Sequence, residues 1–376
     1  MIMNKILYIS LSLDEKNYGG SIVSRNNLKA LRALEDSEVK EVAIVKKLKG
    51  IYEYELQTNV SKVKIAIDNL KGYAGRLNRD CLLKIKNIIK VFEPKFVYLD
   101  SSLLGGIAEL SKEISTDIKV ITFFHNVEID FELERLKSGG ILYLPSLLPS
   151  YLAEKKAIKY SDIIISLHKN DSARLKCIYG RSSDFCVPVC IEDDLSNEVI
   201  LHNNNSTDSI FRVGFIGTAF FANIKAAEFI SKKLSPRFLN NKQIEFIIAG
   251  NGFDKYSKLL NRKNVKTLGY INSIEDFYNE VDVIISPVLT GAGMKVKIAE
   301  AIKYNKKVIA SSFSLIGYET MLNSQNIFSC ITLDDYVIAI KKLSTHPMTH
   351  SDTREYYLKF FSSQACINYF KYILNS

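Results

Sequence analysis

The sequence predicts an α/β protein built from two doubly wound parallel-sheet domains that face each other across a cleft. Three observations predict this fold. Short segments that are apolar throughout alternate with amphipathic helical patterns, as expected for parallel strands covered on both faces by helices. A polar, turn-forming segment at residues 192–209 interrupts this alternation, which then restarts. The chain of 376 residues is also long for one domain, so we expect two Rossmann-like domains.

The first half of the chain contains apolar segments of strand length, the first of them at residues 5–10. Between these segments apolar residues recur at helical spacing, as Leu28 and Leu31 do in the first helical pattern. The patterns predict strands at residues 5–10, 42–45, 96–99, 118–124 and 162–166, and helices at about 21–34, 80–92, 102–114, 127–137, 150–160 and 169–178.

The second half of the chain repeats the same organisation after the polar segment. It predicts strands at residues 212–216, 244–248, 265–268, 282–286 and 307–310, and helices at about 223–234, 253–261, 274–280, 294–304 and 352–375. We therefore expect an N-terminal domain at residues 1–190, a linker at 191–210, a C-terminal domain at 211–351, and a final helical segment at 352–376.

Charge and cysteine usage narrow the class of partner and the compartment. The formal net charge of +9 suits an anionic partner, namely a nucleotide, a phospholipid surface or nucleic acid. Nucleic acid ranks last of these, because no arginine cluster with interleaved aromatics is present. The six cysteines lack zinc-site spacing and are expected to be reduced thiols of a cytoplasmic protein. No signal peptide and no apolar segment of transmembrane length is recognised.

The glycine-rich stretch at residues 290–301 is the strongest candidate for a binding site. It joins an apolar strand to a helix, and glycine lets the backbone approach an anion while the first helical N–H groups point at it. At about 100° per residue, Lys297 and Glu300 share one face of that helix. A cation near phosphate with a carboxylate one turn deeper would suit a nucleotide. The alternative is an ordinary Lys–Glu pair on a solvated helix face.

Other candidate residues also lie where predicted strands end. They are Gly19 and Gly20 after the first strand, His125, Gly217 and Gly250. Ligands of doubly wound sheets bind beyond the carboxyl ends of the strands, so these positions are expected to contribute to a site. For His125 the alternative is a polar core residue with satisfied hydrogen bonds.

These segments, in this order and spacing, resemble those of the GT-B-fold glycosyltransferases, and most closely family 4. The resemblance spans nearly the whole chain and includes His-Asn-Val-Glu at 125–128, Phe-Ile-Gly at 215–217, Ile-Ala-Gly-Asn-Gly at 248–252 and Leu-Gly-Tyr at 268–270. It implies transfer of a hexose from a nucleoside diphosphate sugar to a hydroxyl of a glycan or lipid-linked glycan, with retention of anomeric configuration. The implied role is surface polysaccharide synthesis, as in capsule, O-antigen or lipopolysaccharide.

The resemblance also implies roles for individual residues. Glu300 is similar to the family's ribose-binding glutamate, Lys297 to a diphosphate contact, and His125 to the histidine near the transferred sugar. These three are the expected catalytic residues. The expected donor-binding residues are Gly19, Gly20, Gly217, Asn223, Gly250, Tyr270, Ile271, Gly291, Gly293, Met294 and Lys295, with Tyr270 and Ile271 at the base and the 293–295 turn at the diphosphate.

Two departures from the family pattern leave alternatives open. Ala292 stands where the family usually has a second glutamate, and no arginine follows Gly217, where Lys225 is the nearest cation. A non-catalytic nucleotide-sugar-binding partner and a sugar-nucleotide 2-epimerase of the same fold therefore remain alternatives. A dinucleotide oxidoreductase is disfavoured, because neither domain has the G-x-G-x-x-G pattern with a following acid.

The same reasoning gives expectations about cofactors and membranes. The chain has no Asp-x-Asp, so we expect no metal and no other cofactor. The uncharged apolar stretch at residues 138–153, flanked by Lys137, Lys155, Lys156 and Lys159, is too short to span a bilayer. It could contact the inner face of the cytoplasmic membrane peripherally, or it could form a buried loop and helix.

The final segment carries large aromatics at helical spacing, among them Tyr356, Phe360 and Phe370. That is more apolar surface than an exposed tail tolerates. In the fold that the chain resembles, the last helix packs back on the N-terminal domain, so we expect Phe370 and Ile373 to be buried against residues before 190. The alternative is that the whole segment packs on the C-terminal domain.

Overall fold

The structure is a computed structural model that describes residues 3–14, 19–71, 73–74, 76–139, 144–195, 210–345 and 351–376. The chain divides into two compact units. The first comprises Met1–Cys190 and Ser363–Ser376, and the second comprises Ile191–Ser362.

The first unit contains a parallel sheet with seven strands in its described residues. Their order across the sheet is β3-β2-β1-β4-β5-β6-β7. The central strand β1 is buried along nearly its whole length, and Ile6 lies between Val39 and Phe96 of its two neighbours. The strands are β1 (Asn4–Ser10), β2 (Ser37–Val45), β3 (Tyr54–Gln57), β4 (Phe96–Leu99), β5 (Lys119–Phe124), β6 (Ile163–Ser166) and β7 (Phe185–Cys186).

Helices cover this sheet because their apolar stripes pack on the strands. In the third helix, for example, Ile85 and Ile89 are buried and Asn78 caps the N-terminus by accepting from Cys81 N. The helices are α1 (Gly19–Arg32), α2 (Lys62–Leu70), α3 (Arg79–Phe92), α4 (Gly105–Ile114), α5 (Glu128–Gly139), α6 (Leu144–Tyr160) and α7 (Lys169–Tyr179), with a 3₁₀ turn at Ser102–Leu104.

The second unit contains another all-parallel sheet, with six strands in its described residues, in the order β10-β9-β8-β11-β12-β13. The strands are β8 (Phe211–Ile216), β9 (Ile244–Ala249), β10 (Val265–Thr267), β11 (Val283–Ser286), β12 (Lys307–Ser311) and β13 (Ile327–Cys330). The α-helices are α8 (Phe221–Phe229), α9 (Ser257–Leu260), α10 (Ile274–Glu280), α11 (Val296–Lys303), α12 (Leu333–Thr345) and α13 (Thr353–Tyr356). Shorter turns are 3₁₀ at Ser235–Phe238, Phe253–Tyr256 and Glu319–Met321, and π-helical at Ile230–Leu234 and Tyr357–Phe361.

The predicted fold class of two parallel-sheet α/β domains is confirmed by these two sheets. The sequence prediction missed strands β3, β7 and β13 and helices α2 and α12. Strand β7 has only two residues, and β3 is an edge strand that is mostly half-buried. Such segments carry too few buried residues to produce a clear apolar pattern.

The C-terminal segment is not the single helix that was predicted for residues 352–375. Ser362 has extended backbone (φ −81°, ψ 165°) and separates the π-helical turn from a last helix, α14 (Ser363–Asn375). Residues before the break belong to the second unit, where Thr353 Oγ1 donates to Lys306 O at 3.2 Å and Arg354 to Asp193 at 2.6 Å. The predicted boundary at residue 352 therefore differs from the observed division at 362/363.

Helix α14 packs against α1 within the first unit. Ser363 Oγ donates to Asn26 Oδ1 at 2.6 Å, and the Phe370 ring lies edge-on to Tyr98 at 5.7 Å. Phe370 and Ile373 are both buried. The aromatic and aliphatic residues of this helix are thus covered by the first unit.

Two other predicted segments fall partly outside the described residues. Of the linker at 191–210, residues 196–209 lie outside them, whereas Ile191 forms an isolated parallel bridge with Ser362. Of the apolar stretch at 138–153, residues 140–143 lie outside them, and the remainder forms the end of α5 and the start of α6. Among the described residues, no helix is both long and apolar enough to cross a membrane.

Candidate active site

The glycine-rich loop lies between β11 and α11 at the carboxyl edge of the second sheet. Gly291 (φ +109°) and Gly293 (φ +63°) both have left-handed backbone, which explains why glycine occupies these positions. Lys295 is the N-cap residue of α11, and its Nζ donates to Ala292 O at 3.0 Å and Gly293 O at 2.7 Å. This ammonium group therefore stabilises the loop's own conformation.

Met294 anchors the same loop to the chain that follows β12. Its side chain is buried and packs against Gly317, where an added Cβ would lie 2.6 Å from the Met294 side chain. The hydroxyl of Tyr318 donates to Lys295 O at 3.0 Å. Met294, predicted as a donor-binding residue, is thus placed as a buried support of the loop.

Lys297 lies in the first turn of α11 and points at the end of strand β8. Its Nζ donates to Asn223 Oδ1 at 2.8 Å and lies 4.2 Å from the centre of the Phe215 ring. Asn223 in turn donates to Thr218 O at 2.8 Å. Because Lys297 is only 9% exposed, the alternative of a Lys–Glu pair on a solvated face is wrong.

Two glycines make room for this arrangement at the ends of β8 and β9. A Cβ on Gly217 would lie 2.7 Å from Asn223 Nδ2 and 3.1 Å from Lys297 Nζ. Gly250 (φ +130°) passes so close that its Cβ would meet Gly217 O at 1.9 Å, and its N–H donates to Gly269 O at 3.0 Å. The ends of neighbouring strands are therefore packed backbone to backbone beside the Lys297 ammonium.

The electrostatics of Lys297 follow from its burial. Removal from water and, to a smaller extent, the nearby positive charge of Lys295 lower the pKa of its ammonium group from 10.5 to about 7, whereas Glu300 opposes the change. Any anion that reaches this buried ammonium group, which is close to deprotonation at neutral pH, stabilises its charged form. The site is therefore suited to a phosphate group.

Glu300 lies one turn further along α11 and is half-buried. Burial raises the pKa of its carboxyl group to about 7, although Lys303, Tyr278 and Lys297 favour the ionised form. The Tyr278 hydroxyl lies 3.4 Å from Glu300 Oε2, and the Tyr278 ring stacks on Tyr304. This packing holds the carboxyl group at the partly open side of the helix.

The remaining predicted residues of the second unit lie around the same edge of the sheet. Tyr270 is 61% exposed, and Ile271 is half-buried next to it, after strand β10. An exposed aromatic ring at this edge can stack on a planar ligand. The structure thus brings Gly217, Asn223, Gly250 and Lys297 into direct contact, and it leaves Tyr270 at the rim.

His125 and the Gly19–Gly20 pair belong to the first unit. Both glycines lie in the first turn of α1, and the space beside Gly20 is open. His125 follows β5, and its Nε2 lies 3.1 Å from Oδ1 of Asp100, a buried residue that follows β4. The Ser10 hydroxyl donates to the other Asp100 oxygen at 2.8 Å.

Asp100 was missed by the sequence prediction, although it directly follows a predicted strand. Burial would lower the pKa of His125, but the charge and hydrogen bond of Asp100 outweigh it and the pKa is raised. Asp100 thus favours the imidazolium form of His125. The alternative of a satisfied polar histidine describes this contact equally well, so the role of His125 depends on what approaches its other nitrogen.

A second missed group is Glu154 on α6. Its carboxylate accepts from the N–H groups of Glu128 and Ile129 at 2.8 and 3.1 Å, and from the Tyr179 hydroxyl at 2.7 Å. It therefore caps the N-terminus of α5 from another helix. Burial, followed by the charge of Glu154, raises the pKa of the Glu128 carboxyl group to about 7.

No group of three or more His, Cys, Asp and Glu residues that could hold a metal ion occurs in the described ranges. The candidate site described above consists instead of cations, backbone groups and single carboxylates.

The part of the chain that contains this site resembles a known protein family. Residues 210–345, which contain the Lys297–Asn223 contact and the glycine-rich loop, match the family described as glycosyl transferases group 1. The second unit matches a glycosyltransferase family. The match covers only the second of the two units, and no curated protein sequence matches the chain.

Solved structures extend the likeness to the whole chain. Anabaena Alr3699/HepE in complex with UDP and glucose is 13% identical, with 99% of this chain and 100% of that chain covered and a TM-score of 0.68. A glycosyltransferase from Rickettsia africae is 14% identical, covers 99% and 97%, and has a TM-score of 0.64. WaaG, a glycosyltransferase involved in lipopolysaccharide biosynthesis, is 13% identical, covers 97% and 94%, and has a TM-score of 0.60. At these identities the likeness establishes the fold, which is that of GT-B glycosyltransferase structures.

Proposed function

We propose that this protein is a retaining glycosyltransferase that moves a hexose from a nucleoside diphosphate sugar to a hydroxyl of a glycan or lipid-linked glycan. The observation that carries the proposal is the buried Lys297 ammonium, held by Asn223 between the glycine-bearing ends of β8 and β9. It lies in the part of the chain that matches glycosyl transferases group 1, and similar structures contain UDP or UDP-glucose.

The second unit would bind the donor through its diphosphate. The backbone N–H groups at the start of α11 and the loop at Gly291 and Gly293 offer donors to phosphate oxygens, and Lys297 offers a charge. Because burial has lowered the pKa of Lys297, phosphate binding would hold it in the ammonium form. Glu300 would accept hydrogen bonds from the ribose hydroxyls, and Tyr270 with Ile271 would lie at the base.

Catalysis would depend on stabilising the leaving diphosphate. As the bond from the anomeric carbon to the phosphate oxygen breaks, negative charge grows on the diphosphate, and a fixed cation that is shielded from water stabilises that charge strongly. Lys297 meets this requirement, because its position is fixed by Asn223 and the Phe215 ring. The sugar would develop oxocarbenium character, and the acceptor hydroxyl would attack the face that the diphosphate leaves. No metal ion or other cofactor is part of this proposal.

The first unit would bind the acceptor. His125, favoured as an imidazolium by Asp100, would donate a hydrogen bond from its other ring nitrogen to a sugar oxygen near the reacting carbon. Surface polysaccharide synthesis, a cytoplasmic location and peripheral contact with the inner face of the membrane belong to the same proposal. The fold shared with WaaG, a glycosyltransferase involved in lipopolysaccharide biosynthesis, supports the first of these.

A non-catalytic nucleotide-sugar-binding partner is the second candidate. Ala292, in place of the glutamate usual in the family that the chain resembles, is the observation that favours it. Both candidates predict donor binding, and only the enzyme predicts transfer or slow hydrolysis of the donor.

A two-step experiment tests the proposal. First, thermal unfolding is measured with a panel of nucleoside diphosphates and their sugars, since specific binding raises the melting temperature. Second, release of nucleoside diphosphate is followed with the best donor, with and without glycan or lipid-linked acceptors. Glu300→Gln should reduce the thermal shift, whereas Glu280→Gln, at an exposed position of the same unit, should retain it. Absence of any shift across the panel would refute both candidates, and binding without turnover would leave only the partner.

A further inference from the structure

Two buried cysteines of the first unit form a pair of neighbouring thiols. Cys190 is 1% exposed and Cys366 is fully buried, and their thiol groups are hydrogen-bonded to each other. The other four cysteines, at positions 81, 177, 186 and 330, contact carbonyl, guanidinium or hydroxyl groups instead. Cys190 and Cys366 are therefore the thiols that are placed to form a disulfide within the folded chain.

The position of this pair along the chain is also specific. Cys190 is the last residue before the chain leaves the first unit, and Cys366 lies in the first turn of α14, where the chain has returned to that unit. The residues next to the pair are joined through their backbones, since Ile191 N donates to Phe361 O at 2.8 Å. This contact does not involve the thiols, so it independently holds the two chain segments side by side.

An oxidant can reach the buried pair only through local opening, here the separation of α14 from α1. The Cys366 thiol lies on the buried face of α14, 3.6 Å from Asn27 Oδ1 of α1. Asn26 Nδ2 of α1 is buried and has no hydrogen-bond partner among the described residues, so it gains one from water when the helices separate. Burial raises the pKa of the Cys190 thiol, so little reactive thiolate is present while α14 is closed.

We propose that Cys190 and Cys366 are a site of reversible oxidation, at which a peroxide converts the two thiols to a disulfide that locks α14 onto the first unit. The thiolate of one cysteine attacks the peroxide, the O–O bond breaks, and a sulfenic acid and hydroxide form. The second thiolate then attacks the sulfenic sulfur, so that the S–S bond forms and hydroxide leaves. In total the two thiols lose two electrons and two protons, and hydrogen peroxide becomes two molecules of water.

The disulfide has two physical consequences. It closes a loop that contains the whole second unit, because residues 191–362 lie between the two cysteines. A cross-link over so long a loop restricts the unfolded chain and so raises the stability of the folded one. It also prevents α14 from separating from the first unit, which slows the exchange of its backbone amides. The inference does not depend on the proposed transfer reaction.

The test is peptide mapping of the folded full chain after treatment with hydrogen peroxide, with remaining thiols blocked by iodoacetamide and without reduction before digestion. We expect a cross-linked peptide pair that contains Cys190 and Cys366, and recovery of both thiols after dithiothreitol. The melting temperature of the oxidised protein should exceed that of the reduced protein by about 5 °C. Amides of α14 should exchange about 10-fold more slowly in the oxidised protein.

Cys366→Ala removes the pair, and Cys330→Ala is the matched control, since both cysteines are buried. Peroxide should raise the melting temperature of the control as in the wild type, and it should not raise that of Cys366→Ala. Peptide mapping of the wild type decides the proposal even if a variant does not fold. The proposal is overturned if both thiols stay reduced under conditions that oxidise the exposed Cys177, or if Cys190 is joined to Cys186 instead. It is equally overturned if the disulfide forms without changing the melting temperature or the exchange of α14.

Discussion

Replacing Lys297 with methionine should make the protein more stable and a poorer binder of nucleotide at the same time. Methionine fills a similar volume without a charge, so the buried ammonium is removed while packing against Phe215 is kept. An increase in stability together with a loss of nucleotide affinity would show that the buried cation serves binding. Loss of a residue that only supports the fold would lower stability and affinity together.

The size of the stability change follows from the pKa of Lys297. Burial lowers that pKa from 10.5 to about 7. Each pKa unit corresponds to about 1.4 kcal/mol, so burying Lys297 opposes folding at pH 7 by about 4 kcal/mol. In the variant Asn223 Oδ1 loses its donor, which costs about 1–3 kcal/mol. The variant should therefore gain about 1–3 kcal/mol in free energy of unfolding at pH 7.

The sign of the pH dependence provides a further check. Well below pH 7, Lys297 is charged in the folded and unfolded chain, and the full penalty is present. Between pH 7 and 10.5 the folded chain has released a proton that the unfolded chain still holds, so this residue makes wild-type stability increase with pH. The variant lacks that contribution, and its advantage should shrink from pH 7 to pH 9.5.

Urea unfolding at pH 7 and pH 9.5 measures the stability difference, and calorimetry with UDP, or with the nucleotide chosen by the panel, measures binding. Affinity should fall about 10- to 100-fold, as expected when a hydrogen bond to a charged group is lost. Lys255→Met, at an exposed position of the same unit, should change neither quantity. A Lys297→Met protein that is less stable than the wild type at both pH values, or that binds nucleotide equally well, would refute the reasoning.

Three further predictions concern other parts of the site. Glu300→Ala should weaken donor binding about 10- to 100-fold in calorimetry without unfolding the chain, and unchanged affinity would contradict its assignment to the ribose. Asp100→Asn should lower the pKa of His125, because burial then acts without the Asp100 charge, as followed by NMR titration, and should destabilise the chain more at pH 6 than at pH 8. The reason is that a raised histidine pKa stabilises the fold at low pH, and this contribution is lost as pH rises through the folded pKa; an unshifted titration would show that Asp100 does not hold the charge. Transfer should continue in EDTA without added metal, and complete loss restored by magnesium or manganese would disprove metal independence.

Most of the sheet architecture could be predicted because parallel strands are buried on both faces. Strands such as β1 and β12 are buried almost throughout and have an uninterrupted apolar centre, and that pattern is visible without knowing the partner strands. Some of the missed segments lack any such buried pattern. Helix α2, for instance, is largely exposed, so its sequence has no buried stripe by which to recognise it.

The break at Ser362 shows a different limit. The aromatic spacing from residue 352 onwards is compatible with one continuous helix, and periodicity alone cannot locate an interruption. The structure divides the segment because the part before the break bonds to Asn305, Lys306 and Asp193 of the second unit, while Phe370 packs on Tyr98 of the first. Competing tertiary contacts, each of long sequence separation, decide where the helix ends.

The sequence by itself determined the fold class, the glycine-rich loop and the placement of Lys297 and Glu300 on the helix that follows it. These are local properties, since they depend on residue type, backbone freedom and spacing along one helix or strand. Only the tertiary structure decided that Lys297 is buried against Asn223, that Asp100 pairs with His125, and that Glu154 caps α5. Each of those contacts joins residues 25 to 74 positions apart. The protonation of Lys297 and His125 and the capping of α5 depend on these distant partners and on burial, which no local pattern encodes.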